Sequence, residues 1–288
     1  MKKFLKKHMV EIILCLILLA GLCLILYPSI SDWWNSFHQS RAIASYVEDV
    51  ENTSEEERQE CLEAAHAYNR MLSQAGNSFI LSEEEERKYR SLLDVSGTGI
   101  MGYIRIPSIA VDLPVYHGTD ESVLQIAVGH IAGSSLPVGG SGTHCLLSGH
   151  RGLPSAKLFT DLDQLVEGDV FLLMVLGETL TYQVDQIRIV LPEEVEELAI
   201  EEGKDYCTLI TCTPYGINTH RILVRGRRIE NMEGETVVTA EAVRIPDYVV
   251  IPAVGIPLLF FVLAAMLLYC RLAGPKKTRQ EMLEEIRK

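Results

Sequence analysis

The sequence contains no His-Glu-x-x-His pair and no Cys-x-x-Cys pair. Those spacings place zinc ligands on one helix face or one tight turn. A metalloenzyme built on either pattern is not expected, and neither metal nor cofactor is called for. No stretch repeats itself, so an array of stacked repeats is not expected. Positive charge is also scarce: 26 Lys and Arg stand against 39 Asp and Glu, a net charge of −13. Between residues 31 and 247 there are 16 basic against 35 acidic residues, a net of −19. Nucleic acids and anionic lipid surfaces are polyanions, and such a segment is a poor partner for either. The acidic runs Glu83 to Glu86 and Glu193 to Glu197 read as solvated faces.

Apolar residues are plentiful, 48% of the 288, with a mean hydropathy of +0.14. The excess is concentrated in two runs, Ile12 to about Ile30 and Tyr248 to Tyr269. Each makes a helix of about 20 residues, the thickness of a bilayer core. Neither has the polar stripe of a core helix. Lys2, Lys3, Lys6 and Lys7 precede the first run; Arg271, Lys276, Lys277 and Arg279 follow the second. Positive flanks stay in the cytoplasm. The expected topology is a cytoplasmic tail (1–9), a signal-anchor span (10–30), an outside segment, a second span (248–270) and a cytoplasmic tail (271–288). A cleaved signal peptide is the other reading of the first run, but no small-residue cleavage site closes it. Tyr27, Pro28, Trp33 and Trp34 read as an interfacial anchor instead. Leu22 is too large for a lipoprotein signal at Cys23.

The outside segment changes character along its length. Residues 36–100 read as helices with a loop between them. Ser54 before Glu55, Glu56 and Glu57 is an N-cap with acidic residues in the first turn. Ser82 with Glu85 forms a capping box for a second helix through Leu93. Residues 101–230 alternate short β-rich runs with Gly and Pro: Met101 to Ile106, Val111 to Tyr116, Thr143 to Ser148, Val170 to Leu176, Leu180 to Val190, Tyr206 to Thr211 and Arg221 to Ile229. So many short strands predict a closed barrel or a sandwich. Ser122 to Val128 and Lys157 to Leu165 read as short helices within it, and 231–247 as a juxtamembrane linker. Four of the seven cysteines, Cys61, Cys145, Cys207 and Cys212, lie in the outside segment. They would allow two disulfides in an oxidising compartment.

Three strand ends carry reactive residues. Thr143 to Ser148 leads into Gly149-His150-Arg151-Gly152. Thr208 to Thr211 leads into Cys212. Arg221 opens the last strand. A nucleophilic cysteine needs a partner that favours its thiolate, commonly histidine. A fixed guanidinium beside the reacting carbonyl stabilises an oxyanion. Cys212, His150 and Arg221 thus suffice for acyl transfer through a thioester. Singly each has a plainer reading, as a disulfide or buried thiol, a loop histidine and a surface arginine. A free Cys212 leaves at most one bridge, with Cys145 and Cys207 either paired or buried as thiols.

Together these residues resemble a known family. Thr208-Leu209-Ile210-Thr211-Cys212, with Arg221 nine residues on, is similar to the TLxTC signature and catalytic arginine of sortases. Leu113 to Thr119, Ser135 to Gly140, Gly149 to Phe159 and Leu176-Gly177-Glu178 resemble the class C, pilin-assembling branch. The likeness covers roughly 36–230. It implies a mainly β fold: an eight-stranded sortase barrel preceded by helices and flanked by two transmembrane helices. It implies that Cys212 attacks the threonine carbonyl of an LPXTG-type sorting signal on a pilin or surface protein. His150 would serve as general acid and base, and Arg221 would steady the oxyanion and the signal. Thr211 and the Thr213 amide would assist around the carbonyl. The acceptor amine would be a pilin lysine, or a cell-wall precursor in the variant that anchors surface proteins. A non-catalytic membrane-bound binding protein is the remaining alternative, although such a protein would be expected to have lost one of the three residues.

One feature departs from the class C pattern. Many members carry a lid with an Asp-Pro-aromatic motif, where this chain reads Gly76-Asn77-Ser78-Phe79. Phe79 remains as a candidate aromatic plug. Without the proline that pre-sets the backbone and the carboxylate that could pair with an arginine, a loose or absent lid is expected.

Overall fold

The computed structural model describes residues 9–231. Residues 1–8, the linker from 232, the second apolar run and the last tail lie outside the described residues. The chain divides into two compact units, with a boundary between residues 29 and 30. Helix α1 (Met9–Asn52) begins in the first. Among the described residues it is the one helix long and apolar enough to cross a membrane, with a mean hydropathy of 2.6 in its most apolar window. The sequence places a boundary near residue 31; the helix continues through it. No glycine or proline interrupts 29–52, and tertiary bonds hold this part in the second unit. Asp32 Oδ1 accepts from the Lys157 amide (2.7 Å), and Asn35 and Gln39 side-chain amides donate to Ser155 O (2.8 Å) and Ile126 O (2.7 Å).

Helices α2 (Glu55–Ala75) and α3 (Glu83–Ser91) begin at Ser54 and Ser82, each with the capping box the sequence implies. Each serine hydroxyl accepts from the amide three residues on, and Glu57 or Glu85 returns the bond to the cap amide. Helix α3 ends at Ser91 rather than Leu93. Together with α1, these helices bury Tyr46, Leu62, Ala65, Tyr68, Leu72 and Tyr89 against Ile100, Met101, Leu136 and Val175. Tyr46 sits at the joint: its hydroxyl donates to Met101 O (3.0 Å) and accepts from the Leu176 amide (2.9 Å). Burial pushes its pKa up to about 12. Tyr46→Phe keeps the ring and strands both backbone groups, so it is expected to cost about 1–3 kcal/mol. The check is a lower urea midpoint with an unchanged slope.

Eight strands close into one barrel: β1 (Ile100–Ile106), β2 (Val111–His117), β3 (Val128–His130), β4 (Thr143–Ser148), β5 (Val170–Val175), β6 (Glu178–Val190), β7 (Asp205–Thr213) and β8 (His220–Ile229). Their order around the barrel is β1-β2-β3-β4-β7-β8-β6-β5, with β5 pairing back on β1. The β2–β3 and β4–β7 pairs are parallel and the rest antiparallel. Ile104, Ile106, Cys145, Leu147, Phe171, Tyr182, Leu209, Ile222 and Val224 fill the interior.

Two local expectations fail. The helix over Ser122 to Val128 is one turn, α4 (Glu121–Leu124), and Val128 opens the short strand β3. Gly129 has no room for a side chain there, because an added Cβ would lie 2.2 Å from Gly118 O. Three residues are too few for a period-2 pattern to be read. The helix over Lys157 to Leu165 is a series of turns with one 3-10 turn at Leu162–Gln164. Leu158 takes φ +39, a helix-breaking conformation, and the apolar residues face the barrel core singly.

Candidate active site

The barrel order sets β7 between β4 and β8. In the antiparallel β7–β8 ladder Cys212 lies directly opposite Arg221, so the two side chains stand side by side on one face. In the parallel β4–β7 ladder Ser148 lies opposite Ile210. Two more bonds carry the pairing one residue further: the Gly149 amide donates to Ile210 O (3.1 Å) and Thr211 Oγ1 donates to Gly149 O (2.7 Å). His150 follows at once. Histidine, cysteine and arginine therefore come from three neighbouring strands, at the same end of each pairing.

Alternation decides which way Cys212 faces. Cys207, Leu209, Ile222 and Val224 belong to the barrel interior, whereas Leu146, Ile210 and Leu223 form a separate cluster on the outer face with Leu198, Ile131 and Val190. Cys212 is two residues beyond Ile210, and Arg221 two before Leu223, so both share that outer face. The cysteine is free and half-buried. An apolar floor thus leads along β4, β7 and β8 to the thiol. Its residues were not singled out in the sequence; the alternation in Thr208 to Cys212 was the available signal.

Arg221 Nη1 donates to its own turn, to Asn218 O (3.2 Å) and His220 O (3.1 Å). His150 Nε2 lies 3.7 Å from Glu121 Oε2 on α4. The Glu121 carboxyl is held below the usual range, first by its bond from Gln125 and then by His150. Thr211 is buried and its hydroxyl is committed to Gly149 O; Thr213 Oγ1 accepts from Arg151 (3.4 Å). Cys145 and Cys207 face each other across β4 and β7 inside the barrel, both as free thiols, and burial pushes the Cys207 thiol well above its ordinary range. Among the described residues no cluster of three His, Cys, Asp or Glu could hold a metal ion.

The connections on either side wall the floor. His144 fixes one wall: its Nδ1–H donates to Ala199 O (2.9 Å) and its Nε2 accepts from Thr208 Oγ1 (2.7 Å). Burial lowers its pKa, so the neutral ring that satisfies both bonds is favoured. The loop carrying Phe79 is bonded to both walls through residues 77 and 78. Asn77 Nδ2 donates to Leu198 O (2.7 Å) and the Ser78 amide to Gly133 O (3.2 Å). Gly133 has φ +83, and a Cβ there would lie 1.8 Å from Ser78 O. Phe79 itself is 41% exposed. Gly133→Ala should free the loop, and a loop that shields Cys212 would then let its alkylation rate rise severalfold. Phe79→Ala should change that rate by less than about twofold, because the backbone bonds remain. Equal rates in both variants and the wild type would show that the loop does not shield Cys212.

The chain is similar to known proteins of one family. A family model described as a sortase domain matches residues 104–229. Sortase D of Bacillus subtilis is 29% identical over 131 residues, 44% of this chain and 63% of that protein; the chain spans less than two thirds of the curated relatives it matches. The crystal structure of sortase C1 from Streptococcus agalactiae superposes with a TM-score of 0.66 at 51% identity, covering 67% of this chain and all of that one. Streptococcus pneumoniae sortase C, described for its pilin substrate specificity, gives 0.60 at 42% identity over 66% of this chain and 97% of its own.

Proposed function

This chain belongs to the sortase family, on its class C side, and we propose that it is a membrane-anchored cysteine transpeptidase that polymerises pilins. The observation that supports the reading is that Cys212 on β7 pairs with Arg221 on β8 at the end of an apolar floor, while His150 lies in the turn just after the adjacent β4. In the proposed reaction the Cys212 thiolate attacks the threonine carbonyl of an LPXTG-like sorting signal. Arg221 releases its own-turn carbonyls and turns its guanidinium to the oxyanion, where a fixed donor is worth most. The threonine–glycine C–N bond breaks, and His150 delivers a proton to the leaving amine. A thioester remains on Cys212. An incoming amine attacks it, His150 takes the proton, and an amide forms as the Cys212 thiolate is regenerated. A pilin lysine as acceptor gives an isopeptide-linked polymer. Thr211 and Thr213 support the site by holding the turn that carries His150.

The apolar part of α1 supports anchoring in a membrane. With the lysines before it, it suggests a cytoplasmic N-terminus and a barrel outside the cell. The second span of this proposed topology falls on residues outside those described.

The test is transpeptidation by the full-length protein in detergent. LPXTG-type peptides are offered with lysine-bearing pilin segments or with cell-wall stem peptides as acceptors. Joining to the pilin lysine supports the proposal. Joining only to the stem peptide would make this a surface-protein anchoring enzyme. No cleavage of any signal would leave a binding role.

A further inference from the structure

We propose that Arg151 is a positioning residue that holds the His150 turn in register with Cys212, by tying the end of β4 to the end of β7 and to the β7–β8 connection. The proposal rests on the acyl-transfer reading of this site. Arg151 follows His150 directly, and its side chain is only 9% exposed, unusual for an arginine unless it is paired. Nη1 reaches Thr213 Oγ1, one residue beyond Cys212, at 3.4 Å; Nη2 donates to Asp163 Oδ2. The guanidinium carbon lies 5.8 Å from the centre of the Tyr215 ring. That ring is seated on the next residue of the same turn: Gly152 has φ +77, and a Cβ there would come within 3.0 Å of it. One side chain thus touches the turn of the base, the strand of the nucleophile and the loop between Cys212 and Arg221.

The ladder explains why such a tie is needed. Main-chain bonding between β4 and β7 ends with Gly149. Beyond it, the turn is bonded on its far side, by Phe159 N to His150 O (3.1 Å) and Gly152 N to Thr160 Oγ1 (3.2 Å). Beyond Gly149, which Thr211 holds, the side-chain link from the turn back to the end of β7 is Arg151 to Thr213. The arrangement also costs something, since Arg151 Nε is buried without a hydrogen-bond partner. An apolar side chain would fill the space without that penalty. What it could not do is hold Thr213 and Asp163 at fixed angles, which the planar fork of a guanidinium does. Displacing a catalytic base by about 1 Å can lower a rate about 100-fold.

The experiment compares full-length wild type, Arg151→Gln and Asp163→Asn in peptide transpeptidation, with each variant also made in a His150→Ala background. Arg151→Gln is expected to lower kcat about 10- to 100-fold with KM within about threefold. Asp163→Asn, which leaves Arg151 in place but loosens it, should lower kcat about three- to tenfold. Should Arg151→Gln not fold, Asp163→Asn carries the same comparison. The decisive readout is alkylation of Cys212 by iodoacetamide. It should slow in Arg151→Gln when His150 is present and change no further when His150 is absent, because Arg151 acts through His150. The same fractional loss in both backgrounds would mark a merely structural arginine and overturn the proposal. An unchanged kcat, or a raised KM alone, would overturn it too. A wild type that cleaves no sorting peptide would defeat the acyl-transfer reading instead; the alkylation comparison still decides the role of Arg151.

Discussion

Cys212→Ala is expected to abolish transpeptidation, by at least about four orders of magnitude, while leaving the barrel folded. Loss of a covalent nucleophile has costs of this size because the remaining groups can only bind and polarise the substrate. The fold should be spared because Cys212 is half-buried at the end of β7 and belongs to neither the interior nor the apolar floor. The substitution removes one sulfur and leaves the opposed Arg221 in its bonds to Asn218 O and His220 O. Two measurements check this: peptide cleavage, and the mass of the protein after incubation with a sorting peptide. Wild type should carry the acyl mass of a thioester, and the variant none. Full activity in Cys212→Ala would sink the proposed mechanism.

His150→Ala should cost about 10²- to 10⁴-fold in kcat/KM, the range for a general acid–base group. The loss falls on both half-reactions. Thioester formation lacks the proton for the leaving amine, and thioester resolution lacks the base for the acceptor. The turn itself should survive, since residue 149 is held by Ile210 and Thr211, and Phe159 bonds the residue 150 carbonyl through the backbone. A melting temperature within a few degrees of wild type separates loss of chemistry from loss of fold. Activity within about threefold of wild type would assign the proton transfers to another group, with Glu121, 3.7 Å from His150, the first to examine.

Much of this site was legible in the chain because its chemistry sits in short contiguous motifs. Gly149 to Gly152 and Thr208 to Cys212 each end a strand that the alternation of β-rich runs and turn residues marks. Both helix starts at Ser54 and Ser82 were legible for a similar reason: a capping box is completed within four residues. Signals spread over greater distances were not legible. The strand Val128–His130 is too short for a period, and its place is set by pairing with β2 and β4. The turns at 157–165 contain apolar residues at helical spacing, yet each apolar side chain is claimed by the barrel core.

The sequence alone determined which residues could do chemistry, the β-rich character of 101–230, the caps of the N-terminal helices and the apolar run that begins α1. Each depends on residue type and near-neighbour spacing. Tertiary structure alone decided that β7 lies between β4 and β8, and so that the turn carrying residue 150 follows β4 at the same end at which residue 212 stands on β7, 62 positions away in the chain. It also decided that Thr211 and Arg151 tie the turn that carries His150 to β7, and that the Phe79 loop is bonded to Gly133 and Leu198. Strand order and cross-barrel contacts arise from burying all the interior faces at once, and no local stretch of the chain encodes that condition by itself.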